Sequence, residues 1–391
     1  MKRLAILLLA GLCLWPLAVL AQEEEDEKVP PPENWKPAGE VTPPAGPAAP
    51  GPMFSYGEFQ LSVHGRVQVM AGHVGDDAHV MNGDVLSRDG FRIRRARLGV
   101  DGQLADRWEY GLELDLIDED SGGNALLDAY ITYRPCDYGW IQAGAGKLPF
   151  SRALIISSAD MQLIERPAWV GVERATGTTQ LDLGRQVGLT VGGRVSLLNF
   201  SAGVYNGAPG YSVGDLNDGL LYVVRLGAGQ GDMGKFEGDL ERGGFRWAFG
   251  LNGYLNFAEA ADVRGAGADL AVKFQGISFY AEAVWAKSIP DTRPEGTDGE
   301  LDETERWGMY AQAGYMLPLD FIDLELACRF AIMDDNVHLD NEGDLWELTA
   351  GVNGYFCDGN VKLMINYILK EEQEGADLAN DSILAMLQLM F

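Results

Sequence analysis

Cysteine and histidine are scarce, at four each in 391 residues, and the basic residues are outnumbered: 30 Lys+Arg against 58 Asp+Glu, for a formal charge of −28. The charge excludes an unaided nucleic-acid binder, which needs a basic face to neutralise phosphates. Three cysteines beyond the N-terminus, Cys136, Cys328 and Cys357, spread over more than 200 residues, make no disulfide framework. Few histidines leave little material for a nucleophile–base pair. His73, His79 and His338 fall in expected loops, and His64 follows Ser62 on one face of a strand, where such a pair is ordinarily two polar wall residues. No HExxH, GxSxG or phosphate-cradling glycine loop stands at a strand-to-helix junction, so no enzyme class is indicated. Beyond residue 20 there is no apolar run long enough for a membrane helix and no helix pattern of useful length.

The N-terminus has what the rest lacks. Met1-Lys2-Arg3, an apolar run over 4–20 and a small-residue exit at Ala21 read as a secretory signal peptide, residues 1–21. Cys13 does not make it a lipoprotein signal, because Leu12 stands where a small residue is needed. Residues 22–52 open with Glu23-Glu24-Glu25-Asp26-Glu27 and hold nine of the 17 prolines, the composition of a solvated periplasmic linker with no core of its own.

From 53 to 391 the pattern is period-two alternation, the mark of strands whose faces meet different surroundings. It is plain in WEYGLELDL at 108–116, FRWAFGLN at 245–252, WGMYAQAGY at 307–315 and VKLMINY at 361–367. Sixteen such segments are expected near 59–71, 91–101, 106–117, 124–134, 138–147, 184–192, 197–206, 220–228, 244–257, 266–274, 277–287, 306–317, 321–333, 345–356, 360–371 and 381–391. The links alternate in length. Tight ones (102–105, 135–137, 192–196, 275–276, 318–320, 357–359) alternate with long polar ones (72–89, 148–184, 206–219, 288–305, 333–344), the asymmetry of an outer-membrane barrel with short periplasmic turns. The stretch 229–243 breaks the rule as a long link on the short side, which points to a misplaced strand nearby. The chain ends at Phe391, in parity with Ile383, Ala385, Leu387 and Leu389, as an outer-membrane assembly signal would. Trp108, Tyr133, Trp140, Trp285, Trp307 and Phe330 are expected to form the interfacial girdles.

The fold class that follows is all-β, a 16-stranded antiparallel transmembrane barrel, closed because unpaired backbone groups cannot be satisfied in hydrocarbon. Sixteen strands enclose a lumen too wide for wall side chains to plug, so passive diffusion is the default function, with neither catalysis nor a cofactor. By parity the lumen receives twelve bases and ten acids. The candidate anion contacts are Arg66, Arg95, Arg97, Arg134, Lys147, Arg152, Arg225, Arg246 and Arg329. Within 148–184, Arg152, Arg166 and Arg174 face Asp160, Glu165 and Glu173, so the balance there is mixed as well. Acidic runs at 118–120 and 334–342 offer oxygen ligands for calcium, with no EF-hand spacing; solvated loops are the simpler reading.

FRIRRARLGVDG at 91–102 resembles the signature near the start of the phosphate-selective porin O and P family. Further matches in the same order are GAGKLPFS at 144–151, RQVG at 185–188, GVYNG at 203–207 and LTAGVN at 348–353. The resemblance implies a homotrimeric bacterial outer-membrane porin, in contact with lipid and lipopolysaccharide, whose long third outer loop, here 148–184, folds into the pore. It implies small hydrophilic solutes, with small anions such as phosphate first and no nucleic acid. The alternatives are a non-selective general porin or a structural outer-membrane tether that conducts little. The family's phosphate selectivity goes with arginine ladders and a lysine cluster. Arg95 and Arg97 would begin such a ladder or pair with Asp115 or Asp128, but the outer loops carry acids, as in ELDETE at 300–305. Parity also slips between Phe91-Ile93 and Ala96-Leu98-Val100, which calls for a bulge near Arg94-Arg95 or a first half standing above the membrane.

Overall fold

The computed structural model describes residues 53–75, 89–117, 126–170, 181–207, 219–257, 261–290, 303–319 and 321–391. The expected signal peptide (1–21) and linker (22–52) lie outside them. The strands are β1 Met53–Tyr56, β2 Phe59–Val74, β3 Gly90–Leu104, β4 Trp108–Asp115, β5 Leu126–Cys136, β6 Gly139–Lys147, β7 Arg185–Val195, β8 Leu198–Tyr205 and β9 Leu221–Gln230. They continue as β10 Arg246–Asn256, β11 Ala261–Phe274, β12 Ile277–Pro290, β13 Thr304–Met316, β14 Asp323–Asp334, β15 Leu345–Phe356, β16 Val361–Glu372 and β17 Ser382–Met390. Helical structure among the described residues is one turn, α1 Arg152–Ile155, and a 3-10 turn, Ala168–Val170.

Each strand from β2 to β17 pairs antiparallel with its chain neighbours, and β17 pairs with β2, closing a sixteen-stranded barrel. The alternation works as read. In β17, Ile383, Leu387 and Leu389 are about half exposed on the outside, whereas Leu384 and Met386 are buried within. The seam is tight at the C-terminus, where Gly65 and Phe391 exchange backbone bonds of 2.9 and 3.0 Å. A Cβ on Gly65 would stand 2.5 Å from the Phe391 ring, so only glycine lets the terminal aromatic cross the seam.

β1 is an addition to the sixteen. β17 stops opposite Arg66, and below that point β1 takes the edge of β2 that β17 leaves bare, pairing Met53 with Ser62 through Tyr56 with Phe59. The long link 231–245 is real and no strand beside it is misplaced, because β9 and β10 pair in continuous register from Gln230–Trp247 to Leu221–Asn256. The girdle needs one correction: Trp140 is buried, because in β6 the outward parity belongs to Ile141 and Ala143.

Part of the interior is filled by apolar side chains. Phe150, Ala153, Trp169 and Val170 from the link after β6 form one apolar cluster with Tyr254, Ala271, Tyr280, Val284, Tyr310 and Met333 on β10–β14. Phe150 meets Tyr254 edge to face at 5.1 Å. Such a core removes apolar wall from water at about 25 cal/mol per Å². Wall positions that parity alone would assign to water are therefore covered by another part of the chain.

Candidate functional site

The β2–β3 pairing contains the bulge that the parity slip required. Gln68 opposes Arg95 and Val69 opposes Ile93, so Arg94 is the extra residue of the bulge. The extra residue turns consecutive arginines inward. Arg94 donates to both oxygens of Glu165 (2.7 and 3.1 Å), while Arg95 donates to Gln68 Oε1 at 3.0 Å. Bidentate pairs of this kind fix both position and orientation.

Neighbouring strands add charges in alternation. Arg66 donates to Ser157 Oγ at 2.9 Å and to Glu113 Oε1 at 3.2 Å, and Arg97 to Asp115 Oδ2 at 2.7 Å. Arg185 holds Asp128 through two bonds of 2.9 and 3.3 Å. Lys147 caps the carbonyls of Ile155 and Ile156 at 2.9 and 2.8 Å. Six bases on β2–β7 (Arg66, Arg94, Arg95, Arg97, Lys147, Arg185) thus lie among three carboxylates of the same strands (Glu113, Asp115, Asp128) and Glu165 of the link after β6, two more bases than acids in this group, while Asp101 and Glu109 pair with His64 and Arg134. The pairing expected with Asp115 falls to Arg97. Asp128 goes instead to Arg185, which parity did not single out.

The link after β6 is bonded to the remaining wall. Ser151 turns the chain with φ +61°, a backbone region costly for a side-chain-bearing residue. The Glu282 carboxylate then accepts the N–H groups of Arg152 and Ala153 at 2.8 and 2.9 Å, serving the open donors of α1. Asp269 is shared by two guanidiniums, Arg152 at 2.7 Å and Arg225 at 2.6 Å. Further along, Asn366 accepts from Ile164 N at 2.8 Å, Asn353 donates to Gln162 O at 2.6 Å, and Arg329 donates to the carbonyls of Glu165 and Arg166 at 2.8 and 2.9 Å. Trp169 lies on Gly308, where a Cβ would be 2.6 Å from Cδ1.

The candidate residues therefore divide. Arg66, Arg95, Arg97 and Lys147 come together on one wall, where Arg66 and Lys147 also bond the link, while Arg152 and Arg329 anchor it to the other and Arg225 shares Asp269 with Arg152. Arg246 binds Asp239 and Glu241 near the β9–β10 link, and Arg134 sits by a turn, one-third exposed, on Glu109. Arg174 and Glu173 lie outside the described residues, as does the acidic run 118–120. His64 faces Asp101 at 2.9 Å. Among the described residues no group of three or more His, Cys, Asp or Glu is arranged to hold a metal. Sequence reading missed Arg94 and Arg185. The parity slip was the available signal for Arg94, since a bulge there puts one more residue on the inner face.

The family model for phosphate-selective porin O and P matches residues 65–391. A search of curated proteins finds no match. Among solved structures, the fold is similar to an anion-selective porin from Comamonas acidovorans, with TM-score 0.57 and 12% identity over 85% of this chain and all of that one. It is also similar to the outer membrane channel DcaP of Acinetobacter baumannii, with TM-score 0.54 and 15% identity over 88% of this chain and all of that one. Salmonella typhi OmpF gives 0.51 and 15% over 87% of this chain and all of that one.

Proposed function

The chain belongs to the phosphate-selective porin O and P family of the bacterial outer membrane, and from that premise we propose that it passes small hydrophilic solutes by diffusion, anions ahead of cations. In this reading 148–184 is the constriction loop: its part up to residue 170 packs its apolar side chains against β10–β14 and is bridged to β2 and β3 by Arg66–Ser157 and Arg94–Glu165, and the aqueous path runs beside those bridges along the wall β2–β7. Six bases of that wall grouped with three of its carboxylates and Glu165 of the loop is the observation that carries the anion preference, since fixed charge sets selectivity where a pore is narrow. Because most of these bases are already paired, the preference is weak. Phosphate is the expected best solute because guanidinium forks match its oxygens. The mature chain starts after residue 21, carries 22–52 as a periplasmic linker, and assembles as a homotrimer.

Planar-bilayer recording tests this reading. A reversal potential under a KCl gradient that favours chloride supports it, and phosphate slowing chloride current more than sulfate does would support the phosphate preference. A cation-selective reversal potential overturns the anion reading, and silence overturns the pore in favour of a tether.

A further inference from the structure

The long β9–β10 link, 231–245, does not hang free at the turn side of the barrel. Its backbone runs inward along the ends of β11–β16. Lys273 Nζ donates to the carbonyls of Met233, Phe236 and Gly238. The Asp239 carboxylate accepts from Arg246 and from Gly276 N, the latter at 2.8 Å. Tyr280 OH donates to Glu237 O at 2.9 Å. Glu237, Gly238 and Asp239 are all buried.

At its innermost point this link meets the segment 148–170, which enters from the opposite end. Glu237 N donates to Asp160 O at 2.8 Å, and Glu237 Oε2 accepts from Gln162 N at 2.8 Å and from Gln312 Nε2 at 3.1 Å. Lys362 joins the same pair of segments. It donates to the carbonyls of Ala159 and Met161 at 3.0 and 2.7 Å, and its ammonium lies 5.8 Å from the Phe236 ring centroid. Of these groups, only Glu237 presents both a backbone donor and a carboxylate acceptor to the tip of 148–170.

The geometry points to 231–245 as an inward strap that props the tip of the constriction loop from the periplasmic side, with Glu237 as the positioning residue that sets pore width. The inference rests on the reading of 148–184 as the constriction loop. Buried carboxylate hydrogen bonds are costly to lose, because the partner N–H stays buried without an acceptor. Truncating Glu237 removes the acceptor that fixes Gln162 N and Gln312 and so loosens the tip, whereas Gln at 237 keeps the acceptor oxygen that Gln162 and Gln312 use. A merely electrostatic role would not separate the two substitutions.

The test is single-channel recording of the assembled protein with Glu237→Ala and Glu237→Gln, beside a control in which 153–168 is replaced by a short glycine linker. Glu237→Ala is expected to raise conductance by at least about one and a half times and Glu237→Gln to leave it at the native level, since a loop held away from the wall sets the narrowest section. A second measurement covers weak assembly: amide exchange at Gln162 should quicken at least about tenfold in the Ala variant and stay near native in the Gln variant. Equal conductance in the Ala variant and the native protein overturns the strap, as does equal change in both variants. If removing 153–168 leaves conductance unaltered, the constriction-loop reading itself fails; if that control widens the pore while Glu237→Ala does not, only the strap fails.

Discussion

Glu282 offers a perturbation whose size follows from counted bonds. Its two carboxylate oxygens accept from Arg152 N and Ala153 N at 2.8 and 2.9 Å, more than a hundred residues away in sequence. Replacing Glu282 with Leu removes both acceptors at once. Ala153 is buried and the start of α1 has no other carbonyl to offer, so both N–H groups lose their partner. A hydrogen bond to a charged group contributes about 1.5–3 kcal/mol, and an orphaned buried donor costs about as much. The local opening free energy of this turn should then fall by at least about 2 kcal/mol, a roughly thirtyfold faster amide exchange. Native-state hydrogen exchange of the detergent-solubilised barrel reads this directly at Arg152 and Ala153, with amides inside β12 as the internal standard. Glu282→Gln keeps one acceptor oxygen and should fall between. Unchanged exchange at both amides would refute the claim that Glu282 anchors the segment.

Deleting Arg94 should turn the bulge into regular alternation with Phe91 and Ile93 still on the outer face, so assembly, read as the heat-sensitive mobility of the folded barrel on gels, should persist; its loss would contradict the register. Arg185→Met leaves Asp128 without its bidentate partner and should shift the reversal potential toward cations, whereas the same change at Arg134, partly exposed on Glu109, should shift it less. Asp344, buried beside Asp334 and Asp335, has its carboxyl pushed up to about 6 by burial and then by those two neighbours. A raised carboxyl pKa means the folded loop favours the protonated form, so loop stability is present in acid and declines as pH rises through about 6. Proteolysis of the 335–344 loop should quicken as pH rises from about 4 to about 6.5 and level off above, and Asp344→Asn should remove that dependence.

Much of this architecture is written locally. Period-two alternation located all sixteen barrel strands to within a few residues, because each strand has one face exposed outside and one inside whatever its neighbours do. Length asymmetry of the links placed the turns. What escaped depends on contacts far apart in sequence. Arg152 was legible as a charged residue in a long link, but its partner Asp269 lies 117 positions away, and nothing near either residue announces the pair. Link 231–245 looked anomalous because a long link fell on the side of the short turns; its buried anchor Lys273 sits on β11, where alternation reports only an inward base. Alternation likewise cannot distinguish an inner wall facing water from one covered by Trp169 and Phe150. Met53–Tyr56 is too short for a period to show, and it is ordered by an edge that exists only because β17 ends at Met390.

The claim on which the account turns is that only one side of the interior is an open path. Substituted-cysteine accessibility tests it directly: in a cysteine-free background, Arg185→Cys and Ala331→Cys are each exposed to a small charged thiosulfonate while current is recorded. The account predicts that the reagent cuts the current through Arg185→Cys and leaves Ala331→Cys unmodified, because Ala331 lies at zero exposure in the dry cluster. Rapid modification at Ala331→Cys, or an inert Arg185→Cys in a conducting barrel, would contradict it.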